Sequence, residues 1–342
     1  MISYLKKSQK LKGVAVLRLD FNTEDDWRMR ASLPTVKLLI KKGVKVLILS
    51  HKGRPKGFDG SLSLEKDALK LEKLLGKKVH FLRNFNFVKI KKLIDLAVPR
   101  SVFVLENLRF LPGEEKNSAD LAIQLAKLGD FYVNDAFAVC HRKNASVVAI
   151  TKHIKSYAGL LMEKEVAGLT RATQKPQKPL IIILGGTKLD DKINIVKNLE
   201  RKTNYFLFGS SLLNEAKKTK FSHLIQGKKI IIPIDSISAN GLYFDIGAET
   251  IDFYSQIIRS AKTIIWNGPV GKTEEKRYSN GSKAILLAIA RTKCFKVIGG
   301  GETSNFVIKN NMQKKISLLS TGGGAMLDFL AGKPMPGLEA LN

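Results

Sequence analysis

Two doubly wound parallel sheets of the α/β class are what this sequence predicts, and three observations predict them. The chain has 342 residues, enough for two domains that each bury a core of their own. Short β-branched runs alternate with helix-period stretches from end to end, in two successive series. Glycines and charged residues gather just after the strands, where an open parallel sheet binds its ligands. Strands that alternate with helices require right-handed crossovers and helices on both faces. The expected plan is therefore two Rossmann-like domains joined by a hinge helix.

In the first series Val14–Leu19, Val44–Leu49, Val102–Leu105 and Phe131–Val133 read as buried strands. Between the first two, Ala31–Lys42 carries Leu33, Val36, Leu38, Leu39 and Ile40 at helical spacing. The second series has strands at Leu180–Leu184, Tyr205–Phe208, Lys229–Ile232, Thr263–Trp266 and Lys296–Ile298. Tyr157–Thr173 reads as one amphipathic helix, closed by Pro176 and Pro179, which cannot continue it. The expected boundaries are a first domain over 1–156, a hinge helix and linker over 157–178, and a second domain over 179–330. An irregular tail, 331–342, carries Pro334, Pro336 and Gly337.

Composition narrows the function. Hydrophobic residues make up 44% of the chain, which excludes a disordered basic tail. No apolar run reaches the length of about 18 residues needed to span a bilayer, which excludes a transmembrane protein, and no membrane partner is expected. The lysine-bearing N-terminus lacks the apolar stretch of a signal peptide. Cys140 and Cys294 are too few for a disulfide framework, and a reducing, cytoplasmic setting is expected. The net charge of +28 is spread evenly over both halves. Without an aromatic-interleaved basic stretch, it reads as lysine-rich solvated surface rather than a specific nucleic-acid site.

Four glycine clusters follow strands of the second half: Leu184-Gly-Gly-Thr-Lys188, Trp266-Asn-Gly-Pro-Val-Gly271, Ile298-Gly-Gly-Gly-Glu-Thr303 and Ser320-Thr-Gly-Gly-Gly-Ala325. Bare amides at helix starts, with glycines that admit close approach, bind phosphates. Lys192 lies one helical turn beyond Lys188. One such cluster is no more than a tight turn, but four together point to phosphate or nucleotide binding. The chain has no G-x-x-x-x-G-K-[ST], which excludes a P-loop NTPase. His141-Arg142 is followed by Lys143 and no Asp-Phe-Gly occurs, which excludes a protein kinase. No G-x-G-x-x-G opens the first helix, against a dinucleotide oxidoreductase.

The strand ends of the first half carry Asp20-Phe-Asn22, Ser50-His-Lys-Gly-Arg54, Glu106-Asn-Leu-Arg109 and Asn134-Asp-Ala-Phe137, with His141-Arg142 after them. Arg28 and Arg30 are expected just before the first helix. Arginines gathered at one sheet mouth suit a small ligand bearing carboxylate and phosphate, which guanidinium forks grip bidentately.

Taken together these residues resemble the phosphoglycerate kinase family, nearly end to end. The stretches Arg18–Asn22, Arg28–Pro34, Ser50–Pro55, Leu105–Phe110, Asn134–Phe137, Leu184–Lys192, Trp266–Gly271, Gly299–Thr303 and Ser320–Ala325 follow in the family's order. The resemblance implies a hinge-bending, glycolytic kinase that moves a phosphoryl group reversibly between 1,3-bisphosphoglycerate and ADP, giving 3-phosphoglycerate and ATP, with Mg2+. It implies that Asp20, Asn22, Arg28, His51, Arg54, Arg109 and Arg142 hold the acid. It implies that Gly186, Lys188, Lys192, Gly209, Asn267, Glu274, Gly300, Gly301, Glu302 and Thr303 surround the nucleotide. Arg28 and Lys188, with amides near Gly301 and Gly324, would act on the transferring group, and Glu302 would hold the metal. The tail would pack back on the first domain, and the enzyme would work as a monomer on small molecules.

Departures from the family pattern are also visible. Glu302 stands where the family has Asp, Lys52 where it has an apolar residue, and Asn144 where it has a second histidine. The adenine-side motif is reduced to Gly209-Ser-Ser211, with a shortened stretch after it, and the hairpin between Asn22 and Arg28 is short. A reading from another class follows from these: an impaired relative that keeps the fold as a basic binding or scaffolding protein. Against it, Arg28, Lys188, Lys192 and Glu274 all remain.

Overall fold

A computed structural model describes residues 2–216, 227 and 229–342. Part of the shortened stretch after Ser211 therefore lies outside the described residues. The chain divides into two compact units, Met1–Lys164 with Met335–Asn342, and Glu165–Pro334.

The first unit runs β1 (Val14–Arg18), α1 (Trp27–Lys41), β2 (Lys45–Leu49), α2 (Glu65–Leu75), β3 (Val79–Leu82), α3 (Phe87–Leu96), β4 (Val102–Leu105), α4 (Pro112–Glu115), α5 (Ala119–Ala126), β5 (Phe131–Asn134) and β6 (Ser156–Ala158), and ends in the first residues of α6 (Leu160–Thr173). Its six strands are all parallel, in the order β3-β4-β2-β1-β5-β6. Every residue of β1 and β4 is buried, as a sheet covered on both faces requires. Leu17, Leu39, Val46, Leu71 and Val104 lie in its core. Connections leave β1 and β5 in opposite directions, so the crevice for a ligand opens at their carboxyl ends.

The second unit takes up the rest of α6 and continues through β7 (Leu180–Leu184), α7 (Leu189–Leu199), β8 (Tyr205–Phe208), α8 (Ser210–Ala216), β9 (Ile230–Ile231), β10 (Ser236–Ala239), β11 (Leu242–Ile246), α9 (Ala248–Ser260), β12 (Thr263–Asn267), α10 (Asn280–Arg291), β13 (Phe295–Gly299), α11 (Gly301–Lys309), β14 (Leu318–Leu319) and α12 (Gly324–Leu330). Its parallel sheet is ordered β14-β13-β12-β7-β8-β9, with β10 and β11 as a separate antiparallel hairpin. The reversal here lies between β7 and β12. Ile183, Trp266, Ile285 and Ile298 lie in its core.

Several elements differ from expectation. Tyr157 is not helical: it lies in edge strand β6, and the helix begins only at Leu160. Three residues are too few to signal a strand. α1 starts at Trp27, so Arg28 and Arg30 lie inside its first turn rather than before it. α1 carries Pro34 at its eighth position and goes without that residue's amide hydrogen bond. The strand expected at Lys229–Ile232 shrinks to Ile230–Ile231. The tail is not wholly irregular, since Pro336–Glu339 forms α13 with Pro336 in its first turn, where a proline's missing N–H costs nothing. Its Gly337 amide donates to the Cys140 carbonyl at 2.8 Å, and Leu341 accepts from the Ser3 amide at 3.2 Å.

Candidate active site

The acid-side cluster is built on the carboxyl ends of β1, β2, β4 and β5. Ser50 joins two of them, its hydroxyl donating to the Leu19 carbonyl at 3.0 Å and accepting from the Phe21 amide at 2.9 Å. This holds Asp20 in place, where its Oδ2 accepts from Arg28 Nη1 at 2.6 Å and its Oδ1 from the Asn22 amide at 3.0 Å. Burial alone would raise the Asp20 pKa, but His51, Arg28, the Asn22 amide and Arg18 outweigh it and hold the carboxyl below its usual range. Arg28 Nε makes no hydrogen bond and is buried, which leaves donor capacity for a ligand.

His51 is buried and neutral at pH 7: burial first, then Arg18, Arg109 and Arg142, pushes its pKa well below 6.5 against the pull of Asp20. Its Nδ1 lies 3.2 Å from Arg18 Nη2, a donor only, so the ring accepts there and carries its proton on Nε2. Arg28, at 2.6 Å, is the cation in direct contact with the Asp20 carboxylate. Asn22 Oδ1 accepts from the Gly53 amide at 2.8 Å, and Arg109 Nη1 donates to the Gly53 carbonyl. Both thus grip the turn that leads into Arg54, whose side chain is exposed. Arg142 Nε donates to His141 Nε2 at 3.1 Å. The structure therefore gathers Asp20, Asn22, Arg28, His51, Arg109 and Arg142. Arg30 stays outside, paired on the surface with Asp26 at 2.8 Å.

Lys52 is no longer anomalous: its ammonium lies 2.7 Å from the buried Asp67 carboxylate of α2. Two supports were missed by sequence reasoning. Asn107 donates to the Lys52 and Leu62 carbonyls at 2.8 and 2.9 Å and accepts from the Lys52 and Arg109 amides. Arg18, fully buried, lies 2.9 Å from Ser146 Oγ and 3.9 Å from Glu114. Glu114 in turn accepts from the Ser146 amide and hydroxyl.

The phosphate-side cleft, about 430 Å³, opens at the β7/β12 reversal. Gly186, Lys188, Lys192, Asn267, Gly300, Gly301, Glu302, Thr303 and Gly324 all line it. Gly268 has φ +87°, and a Cβ there would stand 2.1 Å from the Gly185 carbonyl oxygen. Only glycine allows these two loops to touch. Thr303 accepts from the Gly268 amide at 2.9 Å, and Asn267 donates to the Gly299 carbonyl at 3.1 Å. Lys188 is exposed just before α7, whereas Lys192, in its first turn, is buried and donates to Asn267 Oδ1. Burial lowers the Lys192 pKa from 10.5 to about 8, while Asp191 and Glu302 pull the other way.

A second cavity of about 390 Å³ shares Gly186, Thr187 and Glu302 with this cleft and adds Ser211, Asn214, Tyr243, Phe244, Lys272 and Glu274. Gly209 does not line either cavity: it is buried, and a Cβ there would meet Val270 Cα at 2.8 Å. Its part is close backbone packing, and Ser211 takes the lining position. The aromatic hairpin residues Tyr243 and Phe244 were missed, since alternation on a short hairpin resembles any surface strand. Asp245 anchors that hairpin, accepting from the Gly281 amide of α10 at 2.8 Å.

A family model described as phosphoglycerate kinase matches residues 10–223 and 214–333. The phosphoglycerate kinase of Dictyoglomus turgidum is 36% identical, covering 98% of this chain and 97% of that protein. That of Thermosipho africanus is 37% identical over 97% and 96%. The chain belongs to the phosphoglycerate kinase family. Solved phosphoglycerate kinases from Pyrococcus horikoshii and Coxiella burnetii superpose with TM-scores of 0.87 and 0.82, each at 30% identity. They cover 99% and 98% of this chain respectively, and 98% and 97% of their own. As a member of that family the chain is a phosphotransferase with a carboxyl group as acceptor, built on the two-sheet α/β fold that those structures share.

Proposed function

We propose that the chain carries out its family's reaction with 1,3-bisphosphoglycerate and ADP, giving 3-phosphoglycerate and ATP, and that the residues above perform it. The observation that carries the assignment is the division of labour. Arginines around a neutral His51 lie at one sheet's reversal, and a glycine–lysine cleft lies at the other's.

Arg28, Arg109, Arg142 and Arg54, with Asn22 and the Nε2 proton of His51, would bind the acid's carboxyl and phosphate oxygens. Asp20 orients Arg28. Phosphoryl transfer asks for position and charge neutralisation rather than a covalent protein intermediate. Arg28 and Lys188 would meet the equatorial oxygens of the transferring group, and the amides of Gly301 and Gly324 would assist. Lys192 and Asn267 would hold the nucleotide phosphates, with Gly300 and Thr303 beside them. The base would lie by Tyr243, Phe244 and Glu274.

Among the described residues no cluster of three or more His, Cys, Asp or Glu could cage a metal. Mg2+ needs no cage, because one or two carboxylates suffice when phosphates and water complete its shell. Glu302, exposed and shared by both cavities, fits that requirement. The ion would neutralise phosphate charge when bound. No described helix is long and apolar enough to cross a membrane. The cytoplasm, where Cys140 and Cys294 would stay reduced, is the compartment we propose.

A coupled assay with ADP, 1,3-bisphosphoglycerate and Mg2+ tests the assignment. Turnover that requires all three is expected. Its absence in folded protein would favour the scaffolding reading, which no structural observation supports.

A further inference from the structure

The face that α3 turns to solvent is unlike any other helix surface of the first unit. Ile90 and Ile94 face the sheet and are buried. On the opposite side stand Val88, Lys92 and Leu96, one turn apart, with Leu93 and Lys89 beside them. Val88 is 82% exposed, Leu96 76%, Leu93 55%, and Val98, just past the helix, 71%. Large apolar groups this exposed usually occur singly. Here four fall within eleven residues.

Charge says what covers them. From Lys77 to Arg100 the chain has seven basic residues and one acidic, Asp95; Lys78 and Arg83 pair with Glu72 and Glu65 of α2, and Lys77, Lys89, Lys92 and Arg100 carry no ion pair among the described residues. Asp95 is held by Lys91, whose Nζ lies 2.7 Å from Oδ2. Lys45 Nζ adds positive charge at the helix end, donating to the carbonyls of Ile94 and Asp95 at 2.9 and 2.8 Å. A second copy of the chain would bring like charge against like. A nucleic acid would leave the apolar groups unburied. A convex helix with protruding Val and Leu side chains and flanking lysines matches the headgroup boundary of an anionic bilayer. There the apolar groups enter the acyl edge and the ammonium groups meet lipid phosphates. We propose that the α3 face docks this protein reversibly on anionic lipid membranes. No residue of this face is among those assigned to the reaction, so the proposal stands independently of the functional reading.

Flotation of the full chain tests this, with vesicles of phosphatidylcholine alone against vesicles of equal parts phosphatidylcholine and phosphatidylglycerol. Binding is expected to the anionic vesicles only. The triple variant V88S/L93S/L96S keeps every charge, and its binding should fall at least about tenfold because three buried side chains are lost. Turnover in the coupled assay would confirm that this variant is folded and otherwise intact. Equal binding by variant and wild type would overturn the proposal, since diffuse attraction of a +28 protein would then suffice. So would no vesicle binding at all. A dimer in vesicle-free buffer that the same substitutions dissolve would overturn it in favour of self-association.

Discussion

Raising the pH should weaken nucleotide binding through a single side chain, Lys192. The residue is only 5% exposed, and burial brings its pKa to about 8. If the charged form alone grips the phosphates, the apparent ADP dissociation constant grows once the pH passes that value, reaching about tenfold at pH 9. A terminal phosphate titrates near about pH 6, so ADP itself changes little over this window. Calorimetric titration with ADP in two buffers of different ionisation enthalpy reads both quantities, because a lysine recharged by the ligand takes up a proton as ADP binds. Stability moves the other way. Below pH 8 the lysine is charged in both folded and unfolded chains, and the folded chain bears the full cost of burying it. Between pH 8 and 10.5 only the unfolded chain keeps the proton, so the cost is relieved as the pH rises. The displacement corresponds to about 3 kcal/mol. Lys192→Met should therefore be more stable at pH 7 by up to about that amount, with the gap closing above pH 10.5, while binding ADP weakly at every pH. A wild-type affinity that stays flat to pH 9, without proton uptake, would refute the assignment of Lys192.

The remaining predictions rest on other contacts. Arg28→Ala should lower kcat by about 10² or more, on the order of 2.7 kcal/mol, and unchanged turnover would show that Arg28 does not meet the reacting phosphoryl group. Gly268→Ala should cost about 1–3 kcal/mol in a denaturant titration from backbone strain alone and should raise KM for ADP. An unshifted midpoint would mean that the Gly185–Gly268 contact yields easily. Deleting Met335–Asn342 exposes the partners of the buried Met335, Leu338 and Leu341. Turnover should fall more than affinity for either ligand, and a fully active deletion would remove the tail from the mechanism. The donor and acceptor oxygens must approach within about 3–3.5 Å for transfer. The scattering radius of gyration should therefore shrink with both ligands bound, and an unchanged radius would count against closure.

The sheet centres were legible because their strands carry the whole signal locally. Leu-Ile-Ile-Ile-Leu over Leu180–Leu184 has no other reading in a chain that alternates strand with helix. The edge strands β3, β6 and β14 were not. β3 buries only its two end residues, β6 has three residues and β14 two, and none buries enough to mark itself in sequence. α1 starts four residues before the stretch its apolar spacing marked, and it tolerates Pro34 at its eighth position at the loss of one amide hydrogen bond.

The candidate ligand-facing residues stood out for a topological reason. A parallel sheet places its ligand groups directly after strands, so Asp20, His51, Lys188 and Asn267 each follow an apolar run that announces them. The groups that hold these in place obey no such rule. Asn107 reaches Lys52 across 55 positions, Arg18 reaches Ser146 across 128, and Asp245 reaches Gly281 across 36. Each is a buried polar group whose partner only the fold supplies, and leaving one unpaired costs about 1–3 kcal/mol. Lys52 makes the same point from the opposite direction. As a letter in a motif it looked like damage to the acid site, yet Asp67 on α2 takes its charge and leaves the neighbouring turn free to be shaped by Asn22 and Arg109. A substitution that breaks a motif is thus a defect only if its new group lacks a partner. By that standard Glu302 is the departure to test, because the residue stands exposed on the cleft that we propose the phosphates enter.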